Sequence, residues 1–383
     1  MGQQDLDELR TQIRDIDQHI IRLLAQRMHA VRDIGEIKKK AGLPIKDYKV
    51  EKEILDRSNE QARRLGLSAD LVEQVLTTVI SYSVKEQGLI QNKEEKRNRT
   101  KKQSCLIIGG HGHMGVWLAD FMEEMGCEIT IYDTANNSIS DKTYTIADQL
   151  TPGLFAKQDF IFVATPMTVT NDILLDIATS KPNGIVVDIC SLKKPIMRGI
   201  RELEKAGVKV VSMHPMFGPD VEYLAGRNII FCSIGNGHNE PYDKLKAMFA
   251  QTSANLIDIP LTEHDDWMSL ILNASHLINL GFANLILKSG MNIENLCQMA
   301  GTTFMQQLTL TENVVGENPD LYYEIQKLNP NSIKMYDNLL ESLNQFMDLI
   351  KKSNKDEFKK LMIKCKQALN FSDAKPILTM SRD

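Results

Sequence analysis

Apolar residues in the first part of the chain recur at helical spacing. Between residues 5 and 40 they repeat every three or four positions with one seven-residue step, and the segment has no proline and a single glycine, Gly35. The repeating positions are Leu6, Leu9, Ile13, Ile16, Ile20, Leu24, Val31 and Ile34. This pattern predicts one long helix with one apolar stripe. A helix of that length spans roughly 50 Å, so we expect it to pack against another chain.

Two shorter helices are predicted after a break at Gly42-Leu-Pro44. The second helix is expected from about Asp47 to Leu65, and the third from Ser68 to about Leu89. The third helix has its own apolar stripe, formed by Val72, Val75, Leu76 and Val79. Strand-like alternation is missing from this region. The pattern therefore predicts an all-α N-terminal domain over residues 1–92.

The pattern changes to alternating strands and helices from residue 104 onward. Apolar residues beginning at Cys105 run into Gly110-x-Gly112-x-x-Gly115, an amphipathic segment follows, and a second apolar run ends at Asp133. This order is typical of strand, tight turn, helix and strand. Further strand-like runs occupy residues 159–166, 184–188, 208–212 and 228–232. We predict an α/β Rossmann domain with an open parallel sheet over residues 104–260.

The rest of the chain divides into helical and polar segments. Residues 93–103 carry mostly charged side chains, which indicates a solvated linker. From about Thr262 the pattern is helical, which predicts an α-helical C-terminal domain over residues 261–371 that closes the crevice of the Rossmann domain and dimerises. Residues 372–383 are expected to form an unstructured tail.

The glycine-rich turn has the spacing of a dinucleotide-binding site. Gly110 allows the tight turn, Gly112 lets a pyrophosphate approach the backbone, and Gly115 lets the helix pack on the strand. Asp133 follows Gly110 by 23 residues, where a carboxylate can accept hydrogen bonds from the ribose hydroxyls of NAD and repel the extra phosphate of NADP. We therefore predict NAD as the cofactor. The alternative is a glycine-rich turn in an ordinary α/β sheet.

Polar residues that could carry chemistry follow several predicted strands. Thr165, Ser191 and His214 each come at the end of an apolar run. Ligands of open parallel sheets bind beyond the carboxyl ends of the strands. His214 stands before a proline there, so it could be a base or a hydrogen-bond partner for a hydroxyl group. A structural histidine in a loop is the alternative.

Cations interrupt the apolar stripe of the first helix. Arg27 and Lys38 project within the stripe, and Arg10 lies at its edge. A buried cation needs an anionic partner, because an unpaired buried charge is costly. The partner could be a bound polyanionic ligand. Alternatively the long side chains reach the helix ends or pair with Asp47 or Glu51.

Composition narrows the class of protein. The chain has 383 residues, 43% hydrophobic and 25% charged, with a net charge of −5. These values are typical of a globular protein and do not suggest nucleic-acid binding. No uninterrupted apolar run approaches the length of about 18 residues that a membrane span needs, and the N-terminus is polar with charges of both signs. Neither a membrane span nor a secretory signal is therefore expected. The six cysteines are scattered without a CxxC pair. Reduced thiols in a cytoplasmic protein, and no metal site, are therefore expected.

Residues 5–90 resemble the all-helical chorismate mutases. The matching strings are Leu9-Arg10, Gln26-Arg27, Ile34-Gly-Glu-Ile-Lys38, Leu43-Pro-Ile-Lys-Asp47, Glu51 and Ser83-Val-Lys-Glu-Gln87. The resemblance implies a site between two intertwined subunits. It implies carboxylate binding by Arg27 and the partner copy of Arg10, ether-oxygen contacts by Lys38 and Gln87, and ring orientation by Asp47, Glu51 and Ser83. One departure is Val50, where the family usually has arginine.

Residues 104–371 resemble the prephenate dehydrogenases. The most specific match is His214-Pro-Met-Phe-Gly-Pro219. Supporting matches are Gly109-Gly-x-Gly-x-Met-Gly115, Val187-Asp-x-x-Ser-x-Lys193, Glu263-His-Asp265 and Asn318-Pro-x-Leu-Tyr322. The resemblance implies that His214 binds and deprotonates the ring hydroxyl, with Ser191 sharing that hydrogen bond. The cofactor-binding residues expected from it are Gly110, Gly112, His113, Met114, Gly115, Asp133, Thr165 and Pro166.

Together the two resemblances imply a homodimeric enzyme of tyrosine biosynthesis. It would rearrange chorismate to prephenate and then oxidise prephenate, with loss of CO₂, to 4-hydroxyphenylpyruvate with NAD. Where the dehydrogenases have substrate-binding arginines, this chain has Ser275, beside the expected substrate-binding His276, and Met305. Lys193 is the first candidate to replace them. Two alternatives stay open: oxidation of an amino analogue of prephenate or of arogenate, and a regulatory NAD-binding module.

Overall fold

The computed structural model describes residues 3–41, 47–90, 103–135, 144–221, 224, 226–235 and 239–369. Within these ranges the side chains of residues 3–7, 39, 70, 81 and 84–90 are excluded. The predicted break at Gly42-Leu-Pro44, nearly all of the predicted linker and the predicted tail lie outside the described residues. The domain boundaries expected from the sequence stay predictions.

The N-terminal part is a unit of three helices. They are α1 (Gln3–Ala41), α2 (Tyr48–Arg64) and α3 (Ala69–Ile90), and both α1 and α2 pack on α3. The carboxylate of Asp47 accepts a hydrogen bond from the Val50 amide at 3.2 Å, so it caps the start of α2. Much of the apolar stripe of α1 is not covered within one chain: Ile13 is 59% exposed and Ile20 is 50% exposed.

An eight-stranded sheet forms the middle of the chain. Its strands are β1 (Ser104–Ile108), β2 (Glu128–Tyr132), β3 (Thr145–Ile146), β4 (Phe160–Val163), β5 (Ile185–Asp188), β6 (Lys209–Pro215), β7 (Asn228–Ser233) and β8 (Asn255–Pro260). The strand order is β3-β2-β1-β4-β5-β6-β7-β8. All neighbours are parallel except β6 and β7, which are antiparallel. The predicted Rossmann fold is confirmed, with this one antiparallel pair added because β6 and β7 are joined without a crossover helix.

Helices cover both faces of the sheet. They are α4 (His113–Glu124), α5 (Pro152–Phe155), α6 (Met167–Ser180), α7 (Met197–Lys205) and α8 (Glu240–Phe249). Strands buried on both faces are near-continuous apolar runs, as in β4, where all four residues are fully buried. One core layer contains Leu106, Ile161 and Val186, and the other contains Ile107, Phe160 and Val187.

The C-terminal part is helical, as predicted. Its helices are α9 (His264–Met268), α10 (Ser275–Ser289), α11 (Ile293–Met299), α12 (Thr302–Val315), α13 (Pro319–Leu328), α14 (Ser332–Lys351) and α15 (Lys355–Ala368). A π-helical turn, Ser269–Ala274, joins α9 to α10 into one helix. By length and composition alone, His264–Ser289 could cross a membrane, and only 17% of its most apolar window is buried. The sequence prediction does not include this helix as a span, because polar residues interrupt its apolar run.

The three-helix unit contacts the Rossmann domain through the start of α2. The hydroxyl of Tyr48 donates a hydrogen bond to the Glu124 carboxylate at 2.8 Å, and the Tyr48 ring lies 5.5 Å from the ring of Phe121. Lys52 Nζ donates to the carbonyl of Ala250 at 2.8 Å. Tyr48 is 8% exposed, so its ring belongs to the core that covers α4. The two parts of the chain therefore share a packed contact.

Candidate active sites

Arg27 and Ser83 meet between α1 and α3. Arg27 Nη1 donates hydrogen bonds to the Ser83 hydroxyl and, at 3.2 Å, to the carbonyl of Val79. Ser83 is buried and Arg27 is half-buried. Burial lowers the pKa of the Arg27 guanidinium from its ordinary value. Two residues of separate predicted helices thus form one polar cluster inside the helical unit.

Lys38 lies near two carboxylates at the other end of α1. Its side chain is half-buried. Burial lowers the pKa of Lys38, while the negative charges of Asp47 and Glu51 oppose that shift. The three groups are therefore close enough to interact. Asp47 has a structural role as well, since it caps α2.

The remaining residues expected in this site are Arg10 and Gln87. Arg10 is exposed on α1, and Gln87 lies on α3 with its side chain outside the described residues. Arg10 and Arg27 are 17 residues apart along one helix, which separates them by about 25 Å. Binding of one small ligand by both arginines therefore predicts that Arg10 comes from a partner copy. Val50 is 46% exposed.

The glycine-rich turn connects β1 to α4 with very little space. A Cβ atom on Gly115 would lie 2.1 Å from the carbonyl oxygen of Gly109, and one on Gly110 would lie 2.5 Å from Ile131 Cγ2. Gly112 begins α4 without a side-chain cap, so the first amides of the helix face outward. These features fit a pyrophosphate at the helix N-terminus, as the predicted NAD site requires.

Asp133 is anchored to the same turn. Its Oδ2 accepts a hydrogen bond from the amide of His111 and its Oδ1 accepts one from the amide of Ala135, both at 2.9 Å. Each carboxylate oxygen keeps a second lone pair for a ribose hydroxyl. His111 Nδ1 is 2.6 Å from the carbonyl of Ala135. Asp133 thus stands directly after β2, and its contact with the ribose of NAD stays a prediction.

The other residues expected at the cofactor lie around this turn. His113 is exposed and Met114 is half-buried, both in the first turn of α4. Thr165 follows β4, and its hydroxyl is 2.8 Å from that of Thr170. Pro166 is exposed and precedes α6. Their contacts with NAD stay predictions.

Gly115→Ala should weaken NAD binding. The new Cβ would meet backbone atoms of Gly109 and Gly110 that cannot move without opening the turn. We expect the dissociation constant for NAD, measured by fluorescence titration, to rise at least about tenfold, because the turn itself is the phosphate site. Mutase activity should persist. Gly153→Ala is the matched control, since a Cβ there meets nothing within 4 Å. Equal NAD affinity in Gly115→Ala and wild type would contradict the assignment.

Asp133 should make the protein prefer NAD over NADP. A carboxylate at the ribose repels the 2′-phosphate of NADP, and this repulsion is absent in Asp133→Asn. Titration of both cofactors should show tighter NAD binding by the wild type and a smaller preference in Asp133→Asn. Asp148→Asn serves as a surface control. Equal affinity of the wild type for the two cofactors would contradict the location of Asp133 at the ribose.

His214 forms a buried chain with two residues of α9. It is the sixth residue of β6 and is 4% exposed. Its Nδ1 is 3.0 Å from Nε2 of His264, and Nδ1 of His264 is 2.8 Å from Oδ1 of Asp265. Burial lowers the pKa of His214 well below its ordinary value, and the neighbouring His264 and Lys193 lower it further. His214 is therefore neutral at physiological pH and able to accept a proton.

Lys193 is placed differently from its prediction. It is fully buried, and its ammonium group donates hydrogen bonds to Asp188 Oδ1 at 2.7 Å and to the carbonyl of Met213 at 2.8 Å. An ammonium group paired inside the protein has no exposed surface to offer a substrate carboxylate. The prediction that Lys193 binds substrate is therefore wrong. The motif located Lys193 correctly at the strand ends, but the direction of its side chain depends on packing against β6.

The remaining expected substrate residues lie on the loop after β5 and on α10. Ser191 is half-buried in that loop. The His276 ring stacks on Tyr322 with 4.3 Å between ring centres, and burial lowers the pKa of His276 to about 4. Neutral His276 can hydrogen-bond but cannot supply positive charge. Ser275 donates to the carbonyl of Ile271, and Met305 is 37% exposed.

Sequence reasoning missed His264 and Asp265 as functional residues. In the sequence the string Glu263-His-Asp265 supports only the resemblance to the prephenate dehydrogenases. His264 and His214 are 50 residues apart, and no periodicity relates a strand end to the start of a distant helix. The available signal was the adjacent histidine and aspartate at the point where the predicted helical domain begins.

Three family models match the chain in succession. Chorismate mutase type II matches residues 9–88. The nucleotide-binding domain of prephenate dehydrogenase matches residues 118–258, and the dimerization domain of prephenate dehydrogenase matches residues 260–364. The two dehydrogenase matches together cover more than half of the chain.

Individual proteins match either most of the chain or one part of it. The T-protein of Enterobacter agglomerans is 23% identical over 354 residues, which cover 92% of this chain and 90% of that protein. The chorismate mutase of Methanocaldococcus jannaschii is 32% identical over 97 residues, which cover 25% of this chain and 96% of that protein.

A solved structure has the fold of the second part of the chain. It is prephenate dehydrogenase from A. aeolicus in complex with hydroxyphenyl propionate and NAD⁺, with a TM-score of 0.57 and 18% identity over 71% of this chain and 98% of that chain. The mutase match precedes both dehydrogenase matches, and the T-protein relative spans them all. The chain therefore belongs to the family of bifunctional chorismate mutase–prephenate dehydrogenases.

Proposed function

We propose that this chain carries out two consecutive reactions of tyrosine biosynthesis. Its helical unit rearranges chorismate to prephenate, and its Rossmann and C-terminal helical parts convert prephenate to 4-hydroxyphenylpyruvate and CO₂ with NAD. The observation that carries the proposal is the presence of polar clusters in two separate parts of one chain. The helical unit contributes Arg27 with Ser83, and Lys38 near Asp47 and Glu51. The Rossmann domain contributes His214, at the same carboxyl edge of the sheet as the glycine-rich turn.

The mutase reaction needs positioning and positive charge. The rearrangement is pericyclic, with no nucleophile and no obligatory proton transfer, so the protein has to hold a compact conformer and stabilise charge on the breaking C–O bond. In our proposal Arg27 and the partner copy of Arg10 hold the carboxylates. Lys38 donates to the ether oxygen together with Gln87. Burial around Lys38 strengthens that interaction, because the local dielectric is lower than in water.

Two carboxylates and a hydroxyl complete the proposed mutase site. The negative charges of Asp47 and Glu51 partly offset the desolvation of Lys38, whose pKa is still lowered. The two carboxylates also provide acceptors for the ring hydroxyl of chorismate. Ser83 orients Arg27 through the hydrogen bond between them. The helix cap formed by Asp47 then couples the local fold of α2 to the position of Lys38.

The dehydrogenase reaction needs a base at the ring hydroxyl. Neutral His214 accepts the hydroxyl proton while Ser191 holds the oxygen by a hydrogen bond. NAD, when bound at the glycine-rich turn, supplies the hydride acceptor. Loss of the ring carboxylate as CO₂ gives an aromatic ring, which drives the reaction forward. Burial of His214 excludes water from the proton transfer.

Binding of prephenate is expected to be weak. The positions at which the dehydrogenases have arginines are Ser275 and Met305, and Lys193 is paired with Asp188. A dianionic substrate gains most of its ground-state affinity from cations. We therefore expect a high Michaelis constant for prephenate, with turnover that depends on His214.

We further propose that the enzyme is a cytoplasmic homodimer. The apolar stripe of α1 is exposed in one chain, and so is much of α10, where Leu285 is 62% exposed and Leu287 is 78% exposed. A second copy would cover both surfaces, and it would deliver Arg10 to the neighbouring mutase site. This explanation also accounts for the apolar helix His264–Ser289 without a membrane. Four of the six cysteines are buried free thiols, which fits a reducing compartment.

The proposal is tested by assaying the two reactions separately on the purified full chain. Chorismate consumption is followed without NAD, and NADH formation is followed with prephenate and NAD over a range of prephenate concentrations. Both activities are expected. A protein that binds NAD but never reduces it with prephenate would overturn the dehydrogenase assignment and favour an altered substrate or a regulatory NAD-binding module.

A further inference from the structure

A line of buried polar side chains extends inward from His214. The His214 ring contacts the His264 ring, with 5.1 Å between ring centres, and His264 contacts Asp265. His264 is fully buried and Asp265 is 7% exposed. Three side chains from β6 and the first turn of α9 are therefore joined by two hydrogen bonds. The hydrogen-bond partners of Asp265, at the far end of this line from His214, determine which nitrogen of each histidine carries a proton.

Asp265 can only accept hydrogen bonds where it lies. Its Oδ1 accepts from the amide of Lys193 at 2.8 Å, and its Oδ2 accepts from the amide of Lys194 at 2.7 Å. Burial would raise the pKa of Asp265, but the hydrogen bonds from His264 and from the two amides outweigh it and lower that pKa. The carboxylate is ionised, so Nδ1 of His264 must donate to it.

The proton on His264 Nδ1 determines the state of His214. Burial lowers the pKa of His264, which the hydrogen bond to Asp265 only partly offsets, so the ring is neutral and its Nε2 carries no proton. Nδ1 of His214 must then donate to that nitrogen across the 3.0 Å contact. Neutral His214 therefore has no proton on Nε2, and Nε2 is the nitrogen that can act as the base.

We propose that His264 and Asp265 are positioning residues for the dehydrogenase reaction, which select the tautomer of His214 and hold its ring in place. This inference rests on the proposed prephenate oxidation. When His214 takes the hydroxyl proton on Nε2, its positive charge is delocalised over a ring whose Nδ1–H already points at His264. The Asp265 carboxylate, two hydrogen bonds away from His214, stabilises that charge, as an aspartate does behind the histidine of a hydrolase triad.

Asp265 also connects the two groups that handle the substrate hydroxyl. The amides of Lys193 and Lys194 that bind Asp265 belong to the loop that carries Ser191. The Asp265 carboxylate thus fixes both His214, through His264, and the loop that carries Ser191. The other charged groups near the line are Lys193 and Asp188, which form their own buried ion pair. Lys193 lowers the pKa of both histidines, and Asp188 raises that of His264.

The first test is kinetic. Asp265→Asn removes the negative charge behind His264 and places an NH₂ group where only acceptors fit, against either Nδ1 of His264 and the Lys193 amide or the Lys194 amide. The expected result is a fall in kcat for prephenate oxidation of about a hundredfold or more, with NAD affinity and mutase activity close to wild type. Asp266→Asn, at the exposed neighbouring carboxylate, is the matched control and should keep its kcat.

A second variant separates positioning from a merely structural role. His264→Gln can accept the hydrogen bond from His214, whereas His264→Leu cannot. Partial retention of kcat in His264→Gln, and a much lower kcat in His264→Leu with unchanged mutase activity and NAD affinity, is the expected pattern. Equal kcat in wild type and Asp265→Asn would overturn the proposal, and so would equal loss in both His264 variants.

The tautomer itself can be measured without substrate. Nitrogen chemical shifts of ¹⁵N-histidine protein should show His214 protonated on Nδ1 in the wild type, and a larger share of His214 protonated on Nε2 in Asp265→Asn, where the anionic acceptor is lost. A wild-type His214 protonated on Nε2 would overturn the inference. Because this readout needs no turnover, it decides the inference even if prephenate is not oxidised, a result that would contradict only the proposed function.

Discussion

His214→Asn should lower kcat for prephenate oxidation by about 10²- to 10⁴-fold, the range that a positioned general base contributes. Asparagine can hydrogen-bond to the ring hydroxyl but cannot take its proton. The Michaelis constant should change much less than kcat, because the interaction is made mainly in the transition state. Steady-state rates of NADH formation at several prephenate concentrations separate the two parameters.

The same chain provides the control for folding. Mutase activity and NAD affinity of His214→Asn should equal those of the wild type, since neither site contains His214. His29→Asn, at an exposed histidine of α1, should keep full dehydrogenase activity. If kcat for prephenate oxidation survives in His214→Asn, His214 is not the base.

The pH dependence of the wild type follows from the lowered pKa of His214. A base with a depressed pKa stays unprotonated as the pH falls through the ordinary histidine range near 6.5. We therefore expect kcat/KM for prephenate to remain level through that range and to decline only at lower pH. The lowered pKa arises from burial first, and from His264 and Lys193 second.

Lys38→Ala should remove most mutase activity and leave the helical fold intact. Loss of a donor that stabilises developing charge in a partly buried site costs about 3 kcal/mol, which is more than a hundredfold in rate. The fold should survive because Lys38 is only half-buried and lies close to the end of α1. The measurements are kcat for chorismate consumption and the far-ultraviolet circular dichroism spectrum.

A neighbouring lysine gives the matched control. Lys40 lies two residues further along α1 and is exposed, so Lys40→Ala should retain mutase activity. Prephenate oxidation should be unchanged in both variants when prephenate is supplied directly. Wild-type turnover of chorismate by Lys38→Ala would remove Lys38 from the mutase site.

Local spacing in the sequence determined the elements of this protein. The three-residue and four-residue repeats predicted α1, α2 and α3 to within a few residues, because a helix that buries one face needs that spacing. The glycine spacing predicted the turn between β1 and α4, because atoms of the backbone itself leave no room for a Cβ at Gly115. The position of Asp133 follows from the same local order of strand, turn, helix and strand. These features depend on residues close together in the chain.

Tertiary structure decided which polar groups meet. Lys193 and Ser191 share one motif, yet packing against β6 turned the Lys193 side chain inward to Asp188 and Met213. His214 and His264 are brought together only when α9 packs at the end of β6. The reversed direction of β7 likewise depends on the connection after β6 and leaves the apolar pattern of the strand unchanged. Periodicity identifies the buried face of an element. The packing of the elements decides which side chains 50 residues apart become hydrogen-bond partners, and so which nitrogen of His214 carries the proton.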